Sequence, residues 1–171
     1  MNVTPDFPSI AQAAYLFVWC ASEELGNRFS EMAGHVGYEP HLLTTGTVRL
    51  FVVRSVDGLP ERVATIFTLE EQRQIKVLLG ESEKPDLAKF GAVATLEHFC
   101  QHVSSRWLME LLAENRLKSL MQPIVHSGSK EVYAYEFLLR GLTREGEEIP
   151  APVMFKAGGD AGASYLLDLA A

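Results

Sequence analysis

The chain has 171 residues, of which 47% are hydrophobic and 22% are charged. This composition is ordinary for a globular protein, and the length allows one domain or a small domain with a piece of another. The formal net charge of −7 argues against a nucleic-acid partner bound through a basic surface. The longest apolar run, residues 13–21, is too short to span a bilayer. No signal peptide is visible, so we expect a soluble cytoplasmic protein.

The first part of the chain predicts a strand followed by a helix. Residues 15–19 form a continuous apolar run, which is typical of a buried strand. Ser22 is followed by two glutamates, a pattern that favours a helix N-terminus. Apolar residues then recur at helical spacing over residues 25–36, and Gly37 is the expected stop.

Two strands, a helix and another strand are predicted next. Residues 41–44 and 47–53 predict strands joined by a hairpin turn at Thr45-Gly46. Pro60 predicts the start of a second helix. Residues 75–79 are again apolar and predict the last strand of this part.

The resulting order, β-α-β-β-α-β, is the ferredoxin-like arrangement. We therefore expect residues 1–92 to form an α+β domain. A regulatory or dimerisation role for this domain is an expectation from architecture alone.

A linking helix is predicted over residues 93–116, with its start near Thr95 and its stop near Asn115, because apolar residues recur along one wide stripe. His98 and His102 lie four residues apart on this helix, a spacing that could bind zinc. Since no third ligand is nearby, we interpret both as solvated histidines. The two cysteines of the chain form no C-x-x-C pair, which favours reduced thiols in a core.

Two further strands are predicted at residues 122–125 and 135–141, joined by a turn at residues 127–130. Alternation along the second strand places Glu136 and Arg140 on one face and Phe137 on the other. A face with a carboxylate and a guanidinium suits the rim of a site that holds a metal and an anion.

The residues Gln122-Pro123-Ile124 and the run Glu136-Phe137-Leu138-Leu139-Arg140 resemble the start of the EAL family, the cyclic di-GMP phosphodiesterases. The pattern of that family is Gln-Pro-Ile, about ten residues, and then Glu-Ala-Leu-Leu-Arg. Phe137 stands where the family has alanine. The resemblance covers roughly residues 117–171, and it continues downstream at Pro150, Phe155, Ala157, Gly162 and Leu167-Asp168.

The resemblance implies a TIM-type barrel, which takes about 250 residues. We therefore expect residues 117–171 to be the truncated start of an EAL domain, the first β-β-α segment of an incomplete barrel. The family hydrolyses one phosphodiester of cyclic di-GMP with a bound metal, but its later metal ligands and catalytic residues would fall beyond Ala171. We expect no catalysis by this chain alone, whether it is a shortened piece or a naturally short protein.

By resemblance, Glu136 is the ligand of Mg²⁺ or Mn²⁺, which we expect to be weakly bound or absent in this chain. Arg140 would bind a phosphate of cyclic di-GMP. Gln122 would contact the ligand or order the site, and Leu138 would lie against a guanine base. No complete catalytic set is expected in this chain.

Simpler alternatives exist for each assignment. Glu136 could be an exposed strand glutamate, and Arg140 could be a surface arginine paired with Glu145 or Glu147. The whole protein could be a degenerate cyclic di-GMP receptor, or a non-enzymatic module that binds a protein partner or dimerises. Because an incomplete barrel leaves unpaired strand edges, we also expect homo-oligomers.

Overall fold

The computed structural model describes residues 15–45, 48–84 and 91–170. It is a mixed α+β protein with two antiparallel sheets and several helices, which confirms the predicted class at that level. The chain divides into two compact units, unit 1 (residues 1–104) and unit 2 (residues 105–171). The predicted boundaries at residues 92 and 116 lie on either side of this division.

Unit 1 is built around a five-stranded sheet with the strand order β2-β3-β1-β4-β5. Strands β1 and β3 and strands β1 and β4 pair in antiparallel fashion, so β1 lies at the centre. The elements of unit 1 are β1 (Tyr15–Cys20), α1 (Glu23–His35), β2 (Glu39–Thr45), β3 (Val48–Val52), α2 (Leu59–Ile66), α3 (Leu69–Gln74), β4 (Ile75–Gly80), β5 (Ala94–Thr95) and α4 (Leu96–Ser104).

Helix α1 begins and ends where the sequence predicts. The Ser22 hydroxyl accepts a hydrogen bond from the backbone N–H of Leu25, which caps the N-terminus. At the other end Gly37 has a φ of +78°, and the backbone N–H of Tyr38 donates to the carbonyl of Ala33. This arrangement satisfies carbonyls that the helix leaves unpaired. The hairpin turn predicted at Thr45-Gly46 lies partly outside the described residues.

The sheet of unit 1 has an apolar core on each face. On one face, residues such as Leu16 and Val18 are fully buried and cluster with apolar residues of α1, α2 and α4. On the other face, Phe17 lies between its cross-strand partners Leu50 and Leu78, and all three are buried. Both faces of β1 are buried, which explains why its sequence is a continuous apolar run.

Helix α3 was missed by the sequence analysis. It has six residues, and its only buried residue is Gln72, so it has no apolar stripe to detect. Its N-terminus is nevertheless a capping box, in which Thr68 and Glu71 each bond the backbone of the other. Glu71 also pairs with Arg28 of α1.

The two cysteines are free thiols in the core of unit 1. Burial raises the pKa of the Cys100 thiol to about 12. Burial also raises the pKa of Cys20, although the nearby Arg49 guanidinium acts against that rise.

Unit 2 contains a three-stranded sheet with the order β6-β7-β8, flanked in sequence by short helices. Its elements are α5 (Arg106–Ala113), β6 (Leu117–Val125), β7 (Val132–Leu142), β8 (Glu148–Pro150), α6 (Ala151–Asp160) and α7 (Ser164–Ala170). The predicted strand pair is confirmed, and both strands are longer than expected. The short strand β8 was not predicted.

Two predictions of continuous helices are wrong. The linking helix expected over residues 93–116 is two helices, because α4 ends at Ser104 and α5 begins at Arg106. Two consecutive serines lie at the break, and serine has a lower helix propensity than alanine or leucine. The single helix expected at the end of the chain is also divided, since Gly162 has a φ of +66° and ends α6.

The core of unit 2 is small. Its buried residues come from α5, β7, α6 and α7, and they are Leu108, Leu111, Leu139, Met154, Ala157 and Leu167. The predicted stop at Asn115 is confirmed, because Asn115 adopts a φ of +52° and the N–H of Arg116 donates to the carbonyl of Leu111. The chain then turns directly into β6.

In the described ranges, no helix has the length and apolar character needed to cross a membrane.

Candidate functional site

The predicted site residues lie on the hairpin of β6 and β7. The strands pair in antiparallel register from Leu117 opposite Gly141 to Val125 opposite Val132, with a bulge near the turn. The turn is closed by two backbone hydrogen bonds, from His126 N–H to the carbonyl of Glu131 and from Lys130 N–H to the carbonyl of His126.

The structure brings Gln122, Glu136, Leu138 and Arg140 to one face of this hairpin, which we call the polar face. Gln122 is the direct cross-strand partner of Glu136, and direct partners have side chains on the same side of a sheet. Leu138 and Arg140 follow at two-residue intervals along β7, so they lie on that side as well. Gln122 and Glu136 are exposed, whereas Leu138 and Arg140 are half-buried.

Arg140 lies in a charged cluster that the sequence analysis missed. Its Nε atom is 3.9 Å from Glu148 Oε2, and Lys118 Nζ is 3.1 Å from the other oxygen of the same carboxylate. Lys118 is opposite Arg140 in the register, so both cations lie on the polar face. Alternation along β6 could have revealed Lys118. Glu148 could not have been found, because β8 was not predicted, and neither Glu145 nor Glu147 is the partner of Arg140.

Glu136 and Arg140 are four residues apart on one strand, which corresponds to roughly 13 Å along it. The carboxylate and the guanidinium would therefore contact different parts of one ligand. Arg140 also donates a 2.8 Å hydrogen bond to the carbonyl of Leu139. That bond and the long contact to Glu148 leave part of the guanidinium available for a phosphate.

Comparison of the chain with models of protein families and with curated proteins finds no match.

The described residues do not fit the metal that the resemblance implies. Glu136 supplies one carboxylate and Gln122 one amide oxygen, whereas Mg²⁺ requires near-octahedral coordination. Across the part of the chain that the structure describes, no group of three histidine, cysteine or acidic side chains could hold a metal ion. His98 and His102 are partly exposed on α4, so their interpretation as solvated histidines stays a prediction.

The face opposite the polar face is uncharged and exposed along part of its length. We call it the apolar face, and it consists of Met121, Pro123, Tyr135 and Phe137. Met121 is opposite Phe137, and Pro123 is opposite Tyr135. The exposed fractions are 62% for Met121, 54% for Tyr135 and 66% for Phe137. The Phe137 ring, at the position where the family that the sequence resembles has alanine, is therefore largely exposed to solvent.

Unit 2 also has a shallow pocket of about 350 Å³, whose lining includes Trp107, Arg116 and Arg144. Its arginines are already neutralised, because Arg144 pairs with Glu110 and Glu114, and Arg116 pairs with Glu114. Hydrogen bonds from Arg144 and Arg116 lower the pKa of Glu114. This pocket is therefore a weaker candidate for an anion site than the polar face.

Proposed function

We propose that the hairpin of β6 and β7 is a recognition element for cyclic di-GMP, and that this chain acts in cyclic di-GMP signalling. The observation that carries the proposal is that Gln122, Glu136, Leu138 and Arg140 lie on one face of the hairpin, where Gln122 and Glu136 are exposed and Leu138 and Arg140 are half-buried. These are the positions at which the sequence resembles the EAL family. A guanidinium suits a phosphate, an amide suits a base or sugar edge, and a leucine offers an apolar surface to a base.

The role proposed for this chain is recognition, and hydrolysis is not part of it. Hydrolysis in the family uses a bound metal, and the donors on the polar face are too few to hold one. We therefore derive no catalytic step from Glu136. Its carboxylate can accept hydrogen bonds from a base or ribose, which requires no metal.

We also propose that unit 1 has a ferredoxin-like fold and that unit 2 is the start of an EAL-type barrel. The strand order β2-β3-β1-β4 and the helices between these strands support a ferredoxin-like unit 1. The order of strands and then helices supports unit 2 as the start of an EAL-type barrel, although β6 and β7 are antiparallel and TIM-barrel strands are parallel. Two free buried cysteines support a cytoplasmic location.

The test is calorimetric titration of cyclic di-GMP, with Mg²⁺ or Ca²⁺, into the chain and into Arg140→Ala. We expect micromolar binding that the substitution weakens by about tenfold to about a hundredfold, because a hydrogen bond to a charged group is worth about 1.5–3 kcal/mol. Arg144→Ala is the matched control, since it removes an arginine of the same unit away from the polar face. That variant should bind as the parent does.

Two outcomes would contradict the proposal. The absence of binding to the parent chain would remove the recognition role, and equal loss in the two arginine variants would show that the polar face is not the site. Chromatography of the titrated nucleotide provides a separate check. Formation of a linear dinucleotide would contradict the expected lack of hydrolysis.

A further inference from the structure

We propose that the apolar face is the contact surface of a homodimer, in which two copies of this chain pack the faces of their hairpins together. This inference is independent of the proposed function, because the apolar face and the polar face lie on opposite sides of the hairpin. It rests on the exposure, the area and the lack of charge of Met121, Pro123, Tyr135 and Phe137.

The exposed area has the size of a functional patch. With the exposed fractions above, Met121, Tyr135 and Phe137 present roughly 400 Å² to solvent. Pro123, which is also exposed on this face, enlarges this to roughly 500 Å². The largest apolar patch of a typical monomer is about 300–600 Å² and is often functional. Two such patches together bury about 1,000 Å², which is the lower end of specific interfaces.

A second copy is the occupant that the chemistry favours. The apolar face has no charged side chain, so two chains that each carry a net charge of −7 can meet there without placing like charges opposite each other. A two-fold axis makes the contact self-complementary. It allows the Met121 thioether of one copy to lie against the Phe137 ring of the other, a favourable sulfur–aromatic contact.

Face-to-face packing is favoured over pairing of strand edges. Strand β6 is an edge strand of its sheet, but Pro123 lies within it and removes one backbone donor from it. Lys118 adds a charge to the same strand, which also discourages edge pairing. The strand edge is therefore a poor template for a second chain, whereas the apolar face has no such protection.

The dimer is expected to be weak because its area is small. Sedimentation equilibrium should show a weight-average mass that rises from the monomer value of 18.9 kDa towards twice that value between about 10 µM and about 1 mM. Phe137→Lys should shift the midpoint of association by more than about tenfold in concentration, since it places two like charges in the contact.

Leu169→Lys is the matched control. It makes the same apolar-to-lysine change in the same unit, at a side chain that is 81% exposed on α7, and it alters the net charge equally. This variant should associate as the parent does. Phe137→Ala, which keeps the face uncharged, should weaken association less than Phe137→Lys does. Circular dichroism checks that each variant remains folded.

A monomeric mass for the parent across this range would overturn the proposal. Association that Phe137→Lys leaves unchanged would also overturn it, because the contact would then lie elsewhere, for example along the edge of β6. Loss of association in both lysine variants would point to the change in net charge and not to the apolar face. Cyclic di-GMP titration of Phe137→Lys separates this test from that of the proposed function, since the polar face is unaltered.

Discussion

Truncation of Leu111 to alanine should unfold unit 2 or come close to it. Leu111 is fully buried on α5, and its Cδ1 atom lies 2.7 Å from where a Cβ of Gly141 would be. It therefore fills the space beside β7, next to Arg140. A buried leucine-to-alanine change costs about 2.7–5 kcal/mol. A unit of roughly 70 residues has a total stability of about 3–10 kcal/mol, so one side chain supplies a large share of it.

The chain offers a clean assay for this effect, because its two tryptophans lie in different units. Trp19 packs on the core of unit 1, and Trp107 packs on the core of unit 2. In a Trp19→Phe background, tryptophan fluorescence during urea unfolding comes from Trp107 in unit 2. With a slope near 1 kcal/mol/M for a unit of this size, Leu111→Ala should lower the midpoint by about 2 M or more.

Leu169→Ala is the control for this experiment. It makes the same chemical change at an exposed leucine of unit 2, so its midpoint should stay within a few tenths of a molar of the parent. If Leu111→Ala shifts the Trp107 midpoint no more than Leu169→Ala does, the small core around Leu111 does not stabilise unit 2.

Two further predictions concern stability. Gly141→Ala should destabilise unit 2 by about 1–3 kcal/mol in the same assay. The reason is that the new Cβ would lie 2.7 Å from both Leu111 Cδ1 and Met154 Sδ in a packed core. A urea midpoint equal to that of the parent would contradict this prediction. Hydrogen bonds from Arg28 and from the capping box lower the pKa of Glu71 to about 2. Since the folded-state pKa is depressed, the stabilisation is complete above about pH 4.5 and is lost as the pH falls towards 2. Glu71→Gln should make the stability of unit 1, measured with Trp19 fluorescence, depend less on pH between about 4.5 and 2. An equal effect of the neighbouring control Glu70→Gln would refute the role of Glu71 in this pH dependence.

The elements that the sequence predicted well are those with a strong local signal. Helix α1 has an N-cap, an apolar stripe and a glycine in the left-handed conformation, and each of these is a local feature. The hairpin was predicted from two strand-like segments joined by a turn, which is also a local signal. Alternation then assigns Glu136 and Arg140 to one face without knowledge of the rest of the fold.

The missed features depend on weak or non-local signals. An apolar stripe continues past residues 104 and 105, so the periodicity does not reveal the break between α4 and α5. Glu148 reaches Arg140 only through the pairing of β7 and β8, which the sequence does not indicate. The exposure of Phe137 could not be predicted either, because a strand pattern specifies two faces but not whether anything covers them.

Because both cysteines are buried free thiols, a dye or spin label can be attached selectively to a cysteine introduced elsewhere in the chain. Thiol reagents attack the thiolate form, and burial raises the pKa of both Cys20 and Cys100, so near neutral pH they react slowly. A single new cysteine at the exposed hairpin turn, for example in place of Gly128, can therefore carry a dye or spin label without removal of the natural thiols. If the proposed dimer forms, one such probe on each copy would measure the distance between the two hairpin turns directly in solution.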